Sequence, residues 1–126
     1  MLNNKKFEIK KIVEHVKELL DKDKAEDIIE IDLKESSSFA DIMIIATASN
    51  ARLVKAISSH IVEGLKGFDV MPKVEGYNQS DWVLIDAGDL IVNILRPEVR
   101  EFYKIEKIWS VYSGNINTEE FPKLDP

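Results

Sequence analysis

The chain contains no cysteine. A disulfide framework, a thiol nucleophile and Cys-ligated zinc or iron–sulfur sites are therefore excluded. Glycine and proline are scarce, five and four among 126 residues, which excludes low-complexity and collagen-like chains. Only two histidines occur, His15 and His60. Both fall on expected helices among polar neighbours, with no Ser or Asp at a triad-like spacing, and they read as exposed surface histidines. HExxH, GxGxxG and P-loop lysine patterns are missing. No apolar run suits a membrane: the uncharged stretch Ile42 to Ala51 is about half of what a spanning helix needs. The first eleven residues alternate charge with single apolar residues, unlike a secretory leader or a transit peptide. A cytoplasmic location is expected. Basic charge is in deficit, 17 Lys plus Arg against 23 Asp plus Glu, for a net charge of −6. Wrapping a phosphate backbone depends on protein cations, so little direct nucleic-acid contact is expected. An acidic surface is better suited to meeting a basic protein.

What is present describes a globular domain. Apolar residues make up 44% and charged residues 32%, and the length suits one domain with its own core. The charge is uneven. Residues 5–24 hold seven Lys and five acids, so the acidity belongs to the rest of the chain. Ile9, Ile12, Val13, Val16, Leu19 and Leu20 follow the 3, 4, 7 spacing of one helical stripe. Asp27 to Leu33 alternates and reads as a half-exposed strand near a sheet edge. Lys34 to Ser38 is a turn or loop. Asp41 to Thr47 is almost wholly apolar, as in a strand buried on both faces. Leu53, Val54, Ile57, Ile61, Val62 and Leu65 return to helical spacing, with Ser49 or Asn50 as the N-cap and Gly67 placed to end the helix. Val70 to Glu75 reads as a short edge strand carrying Pro72. Asp81 to Asp86 and Leu90 to Leu95 form a hairpin turning at Gly88. Arg96-Pro97 opens a last helix running to about Ser110. The order is α-β-β-α-β-β-β-α, which implies an α/β fold with a mixed five-stranded sheet. Residues 1–112 are expected to form the domain and 113–126 a mobile C-terminal tail.

Few residues point to chemistry. Asp41, Asp86 and Asp89 lie at strand ends, where three acids could hold magnesium for phosphoryl transfer. Nucleotidyl transfer needs two acids side by side on a strand and a Gly-Ser pair at a helix start; here the helix start is Ala48-Ser49-Asn50. Turn chemistry is the favoured reading. Trp82 follows Asp81 at a strand start, and composition alone favours a core position over an interface anchor. Trp109 keeps step with Phe102 and Tyr103 and reads as core. Arg100, Tyr103 and Lys107 line up along the last helix. That stripe reads as a solvated face first and a recognition strip second. Asn93 interrupts the run Leu90 to Leu95; a buried amide needs partners, so either this face is open or Asn93 is bonded to a neighbour such as Ser, Asp or Tyr.

One resemblance covers about residues 9–110. Asp41-Ile42-Met43-Ile44-Ile45-Ala46-Thr47-Ala48-Ser49 is followed by Arg52, Glu75-Gly76 and Asp81-Trp82-Val83-Leu84-Ile85-Asp86. Gly88-Asp89, Ile91-Val92-Asn93, Arg100-Glu101-Phe102-Tyr103 and Glu106-Lys107-Ile108-Trp109 complete the set. In this order and spacing the chain resembles the ribosomal silencing factor family (RsfS, also called Iojap). The resemblance implies a mixed sheet flanked by helices, similar to nucleotidyltransferases, without catalysis or a cofactor. It implies a translation repressor that binds the large ribosomal subunit through its fourteenth ribosomal protein and sterically blocks joining of the small subunit. Some members of that family are homodimers when free. By position, Trp82, Arg100, Tyr103 and Lys107 would lie in or beside the partner interface, with Asp81, Asp86 and Asp89 as an acidic rim. Ala48 and Asn93 depart from the family, which usually carries Gly and His there. The alternative is a magnesium-dependent nucleotidyltransferase-like enzyme using Asp41, Asp86 and Asp89.

Overall fold

The computed structural model describes residues 4–34 and 40–104. Lys107, Trp109, the loop serines Ser36 to Ser38 and the expected tail 113–126 lie outside them. The elements are α1 (Asn4–Lys22), β1 (Glu26–Asp32), β2 (Ile42–Thr47), α2 (Ala51–Lys66), β3 (Lys73–Glu75), β4 (Trp82–Asp86), β5 (Leu90–Leu95) and α3 (Pro97–Tyr103). Their order is the expected one. The strands form one sheet in the order β1-β2-β5-β4-β3. β2 and β5 are parallel and the other neighbours antiparallel, so the sheet is mixed. β1 sits at one edge and β2 and β5 in the middle, as their burial patterning requires.

The two sheet faces bury different clusters. On one face Val54, Ile57, Ile61 and Leu65 of α2 and Val13, Val16 and Leu20 of α1 pack against Ile44, Ala46, Val83, Ile85, Val92 and Ile94. Burying each such side chain contributes roughly 1.5–3 kcal/mol. The other face gathers Leu33, Ala40, Met43, Ile45, Ile91 and Leu95, with Trp82, Leu84 and Val99 partly buried against them. The period-two alternation of β4 and β5 separates these sets: Val83 and Ile85 point to α2, while Trp82 and Leu84 point away.

Local chemistry sets the boundaries. Asn50 caps α2 by accepting the Leu53 N–H at 2.8 Å. Gly88 has φ +87° in the β4–β5 turn, and the Asp86 carboxylate accepts its N–H at 2.9 Å. Ala48 is not among the positive-φ residues of the described chain; its N–H donates to Leu95 O at 3.0 Å.

Gly67 caps the end of α2 where expected, but with right-handed angles, φ −63° and ψ −19°. The left-handed residue of the turn that follows is Asp69, φ 61°, flanked by Asp69 N–H to Lys66 O and Val70 N–H to Leu65 O bonds, both 3.0 Å. Those bonds form a Schellman motif, with Val70 and Leu65 as its apolar contact. This turn and Pro72, which has no N–H, confine β3 to three residues. Likewise α3 stops at Tyr103, where Lys104 turns left-handed and its N–H reaches Arg100 O at 2.8 Å. The expected helix is thus interrupted at Lys104, and the rest of it, 105–110, lies outside the described residues. His15 is only partly exposed and stacks edge-on with Phe68, ring centroids 5.5 Å apart. His60 is exposed but paired with Asp23 at 2.6 Å.

The end of α1 repeats the device on Lys24, φ 62°, with Ala25 N–H bonded to Leu20 O at 2.9 Å. A lysine there carries a steric penalty that glycine does not. Lys24→Gly is expected to raise stability by roughly 0.5–1 kcal/mol after the larger unfolded-state entropy of glycine is subtracted. Urea denaturation checks this, and an unchanged or lowered midpoint would contradict it.

Candidate partner-binding site

β4 begins where β5 ends. Trp82 is therefore opposite Leu95, and Leu84 is opposite Asn93. Trp82 and Asn93 are diagonal neighbours on one face, within reach of a long side chain. The indole N–H of Trp82 donates to Asn93 Oδ1 at 2.7 Å. This pairing replaces the expected Ser, Asp or Tyr partner of Asn93. Trp82 is half-buried: it lies against the second core cluster and also shows to the outside.

Asp81, Arg96 and Glu98 meet at this end of the sheet. Asp81 is exposed and faces Arg96, Nη1 to Oδ1 at 3.3 Å. The Arg96 N–H also bonds Asp81 O at 3.0 Å, and its other guanidinium nitrogen reaches Glu98 at 3.0 Å. Tyr103 closes α3. Arg100 does not lie on a solvated face, in contrast to the first expectation for the Arg100, Tyr103 and Lys107 stripe. It is 8% exposed, and its Nη1 donates to Asp27 O at 2.6 Å and Thr47 Oγ1 at 2.7 Å. The reason is in β1. Its ladder slips between Glu26 and Ile29, and Asp27 takes φ 49°. Such a bulge frees and re-aims a carbonyl, and here Arg100 binds it. A pocket of about 450 Å³ opens beside them, lined by Asp27, Ile29, Thr47, Pro97, Arg100 and Glu101.

Asp86 and Asp89 lie elsewhere. They flank the β4–β5 turn, at the far end of β4 from Asp81. At about 3.3 Å per residue, the length of β4 separates the two sets. The structure thus puts Asp81 beside Trp82 and does not bring Asp86 and Asp89 to it. The Asp86 carboxylate is engaged by the turn N–H of Gly88, and the Asp89 carbonyl accepts from Asp41 and Ile42 at 2.9 and 3.1 Å. Among the described residues no three His, Cys, Asp or Glu side chains gather as a metal-holding group. The donor arrangement required by the magnesium alternative is not assembled there. Arg96, Thr47 and Asp27 were not singled out by the sequence. Their roles depend on register and on the β1 bulge, neither of which leaves a motif.

The family model "Ribosomal silencing factor during starvation" matches residues 6–125. The chain belongs to the ribosomal silencing factor family. The "Ribosomal silencing factor RsfS" of Zymomonas mobilis is 39% identical over 108 residues, covering 85% of this chain and 81% of that one. A mouse protein named "Mitochondrial assembly of ribosomal large subunit protein 1" is 30% identical over 112 residues, covering 86% of this chain and 47% of its own length. A crystal structure of a Chromobacterium violaceum protein superposes with a TM-score of 0.78 at 35% identity, covering 92% of this chain and 93% of that one. A role as a ribosomal silencing factor accords with the net acidic charge of the chain. No helix among the described residues of this silencing factor is long and apolar enough to cross a membrane.

Proposed function

We propose that this silencing factor acts in the cytoplasm by binding the large ribosomal subunit and blocking the small subunit from joining. The contact is a basic ribosomal protein, the fourteenth of the large subunit, met by the sheet end that carries Asp81 and Trp82. By the family resemblance Tyr103 and Lys107 also belong to the contact, and Asp86 and Asp89, at the opposite end of β4, extend the acidic charge. Arg100 supports the surface from within. The free protein forms a homodimer. No catalytic group takes part: bulk over the joining surface is sufficient.

The observation that carries this reading is Trp82 itself. A half-buried tryptophan, fixed at one edge by Asn93 and bordered by an exposed carboxylate, combines an apolar anchor with charge that attracts a basic partner. Acidic charge repels ribosomal RNA and so favours a protein patch within the ribosome.

The test is a subunit-joining assay on sucrose gradients, with purified subunits and magnesium. The protein should travel with large subunits and reduce full ribosomes. Trp82→Ala should weaken binding by about 2 kcal/mol, roughly 30-fold, with the fold retained. Undiminished joining, with the protein left at the top of the gradient, would falsify the proposal. Unfolding of Trp82→Ala would move Trp82 from the interface to the core.

A further inference from the structure

Asn93 breaks the rule for its position. It lies within central strand β5, whose six residues are all buried. It is itself 1% exposed. The indole N–H of Trp82 can only donate, so the amide oxygen must face it. That orientation leaves the amide nitrogen turned elsewhere, and Asn93 Nδ2 is buried without a hydrogen-bond partner. Two N–H groups are thus removed from water and not repaid. Leucine has similar bulk, needs no partner and would suit the same-face neighbours Ile45, Ile91 and Leu95. An amide here disfavours stability, and such local violations occur where another property is served.

The property served is visible in the one bond the amide makes. Trp82 lies diagonally opposite, half-buried, with its indole N–H on Asn93 Oδ1 at 2.7 Å. The bond determines which edge of the indole turns to the sheet and which turns outward. An aromatic anchor already fixed in its bound rotamer loses less freedom on binding. We propose that Asn93 is a positioning residue that holds the Trp82 indole in its partner-binding pose, at the expense of fold stability. The inference rests on Trp82 being part of the ribosomal contact, as proposed above.

Four single variants and one double variant of the full chain test it: Asn93→Leu, Asn93→His, Trp82→Ala, Trp82→Phe, and Trp82→Phe combined with Asn93→Leu. Binding to purified large subunits, thermal unfolding and solvent exchange of the indole N–H are measured. Asn93→Leu should melt at the wild-type temperature or above it. Its affinity should nonetheless fall about three- to tenfold, as expected for releasing one side chain, and its indole N–H should exchange faster. Asn93→His should retain binding, because its Nδ1 can accept where the amide oxygen does. In Trp82→Phe, which has no N–H, Asn93→Leu should cause no further loss, since the two effects are one interaction. Wild-type binding by Asn93→Leu while Trp82→Ala binds poorly would overturn the positioning role alone. Wild-type binding by Trp82→Ala would overturn the interface reading and this inference with it. If Asn93→Leu lowers melting temperature and affinity together, and does so equally in Trp82→Phe, Asn93 is a structural residue and the inference is wrong.

Discussion

Gly76→Ala should destabilise the protein by about 3–5 kcal/mol, combining a left-handed backbone penalty with a steric clash in a packed region. Gly76 has φ +82°, a region in which a Cβ is strained. A Cβ built there would also overlap the carbonyl oxygen of Trp82, which is backbone and cannot swing aside. The surrounding turn is tightly bonded. Ser80 N–H donates to Gly76 O at 3.0 Å, and Ser80 Oγ donates to Tyr77 O at 2.6 Å. Gly88 supplies the control. Its φ is +87°, yet a Cβ there meets nothing within 4 Å. Gly88→Ala should therefore lose only the backbone share, about 1–2 kcal/mol. Chemical denaturation of both variants decides the matter. Equal losses would mean that the approach of Gly76 to Trp82 does not constrain the fold. Because the obstructing atom belongs to Trp82, Gly76→Ala should also lower affinity for the large subunit if Trp82 is an anchor.

Arg100→Met should have the next largest effect, a loss of about 2–4 kcal/mol. Methionine keeps most of the apolar stem. The guanidinium bonds to Asp27 O and Thr47 Oγ1, 2.6 and 2.7 Å long, are lost. Bonds to a charged group contribute about 1.5–3 kcal/mol each, and the abandoned acceptors add a desolvation penalty unless water reaches them from the adjoining pocket. Lysine should rescue poorly, since its single ammonium does not reproduce a planar fork aimed at two acceptors. Urea unfolding measures the loss. Amide exchange should quicken around the β1 bulge before the rest of the sheet. If Arg100→Met is as stable as the parent, the guanidinium is not bracing the bulge.

Much of the architecture was legible because burial leaves a period in the sequence. The stripe on α2 and the apolar run of β2 each have one physical explanation, and both elements occur within a residue or two of where they were expected. The departures arise where the decisive partner is distant in sequence. Arg100 looked solvated because helical spacing shows which residues share a face and not what covers it. The bulge at Asp27 decides that. The partner of Asn93 required the exact diagonal of β4 against β5. Lys24 and Asp69 hold left-handed positions without being glycine, so no composition rule exposes them. Asp81, Asp86 and Asp89 look like one group in sequence, but β4 runs between them and places them at opposite ends of the sheet.

The parallel pairing of β2 with β5 has a consequence for how the molecule comes into being. Ile42 waits for Leu90 and Thr47 for Leu95, while α2, β3 and β4 are made in between. The middle of the sheet is therefore the last part to close during synthesis, and its loop must be brought together before any contact rewards it. Until Leu95 leaves the exit tunnel, β2 has only β1 beside it and one side open. Adding β5 completes the sheet and brings Asn93 to Trp82 in the same step, so a chain still short of β5 lacks that pair.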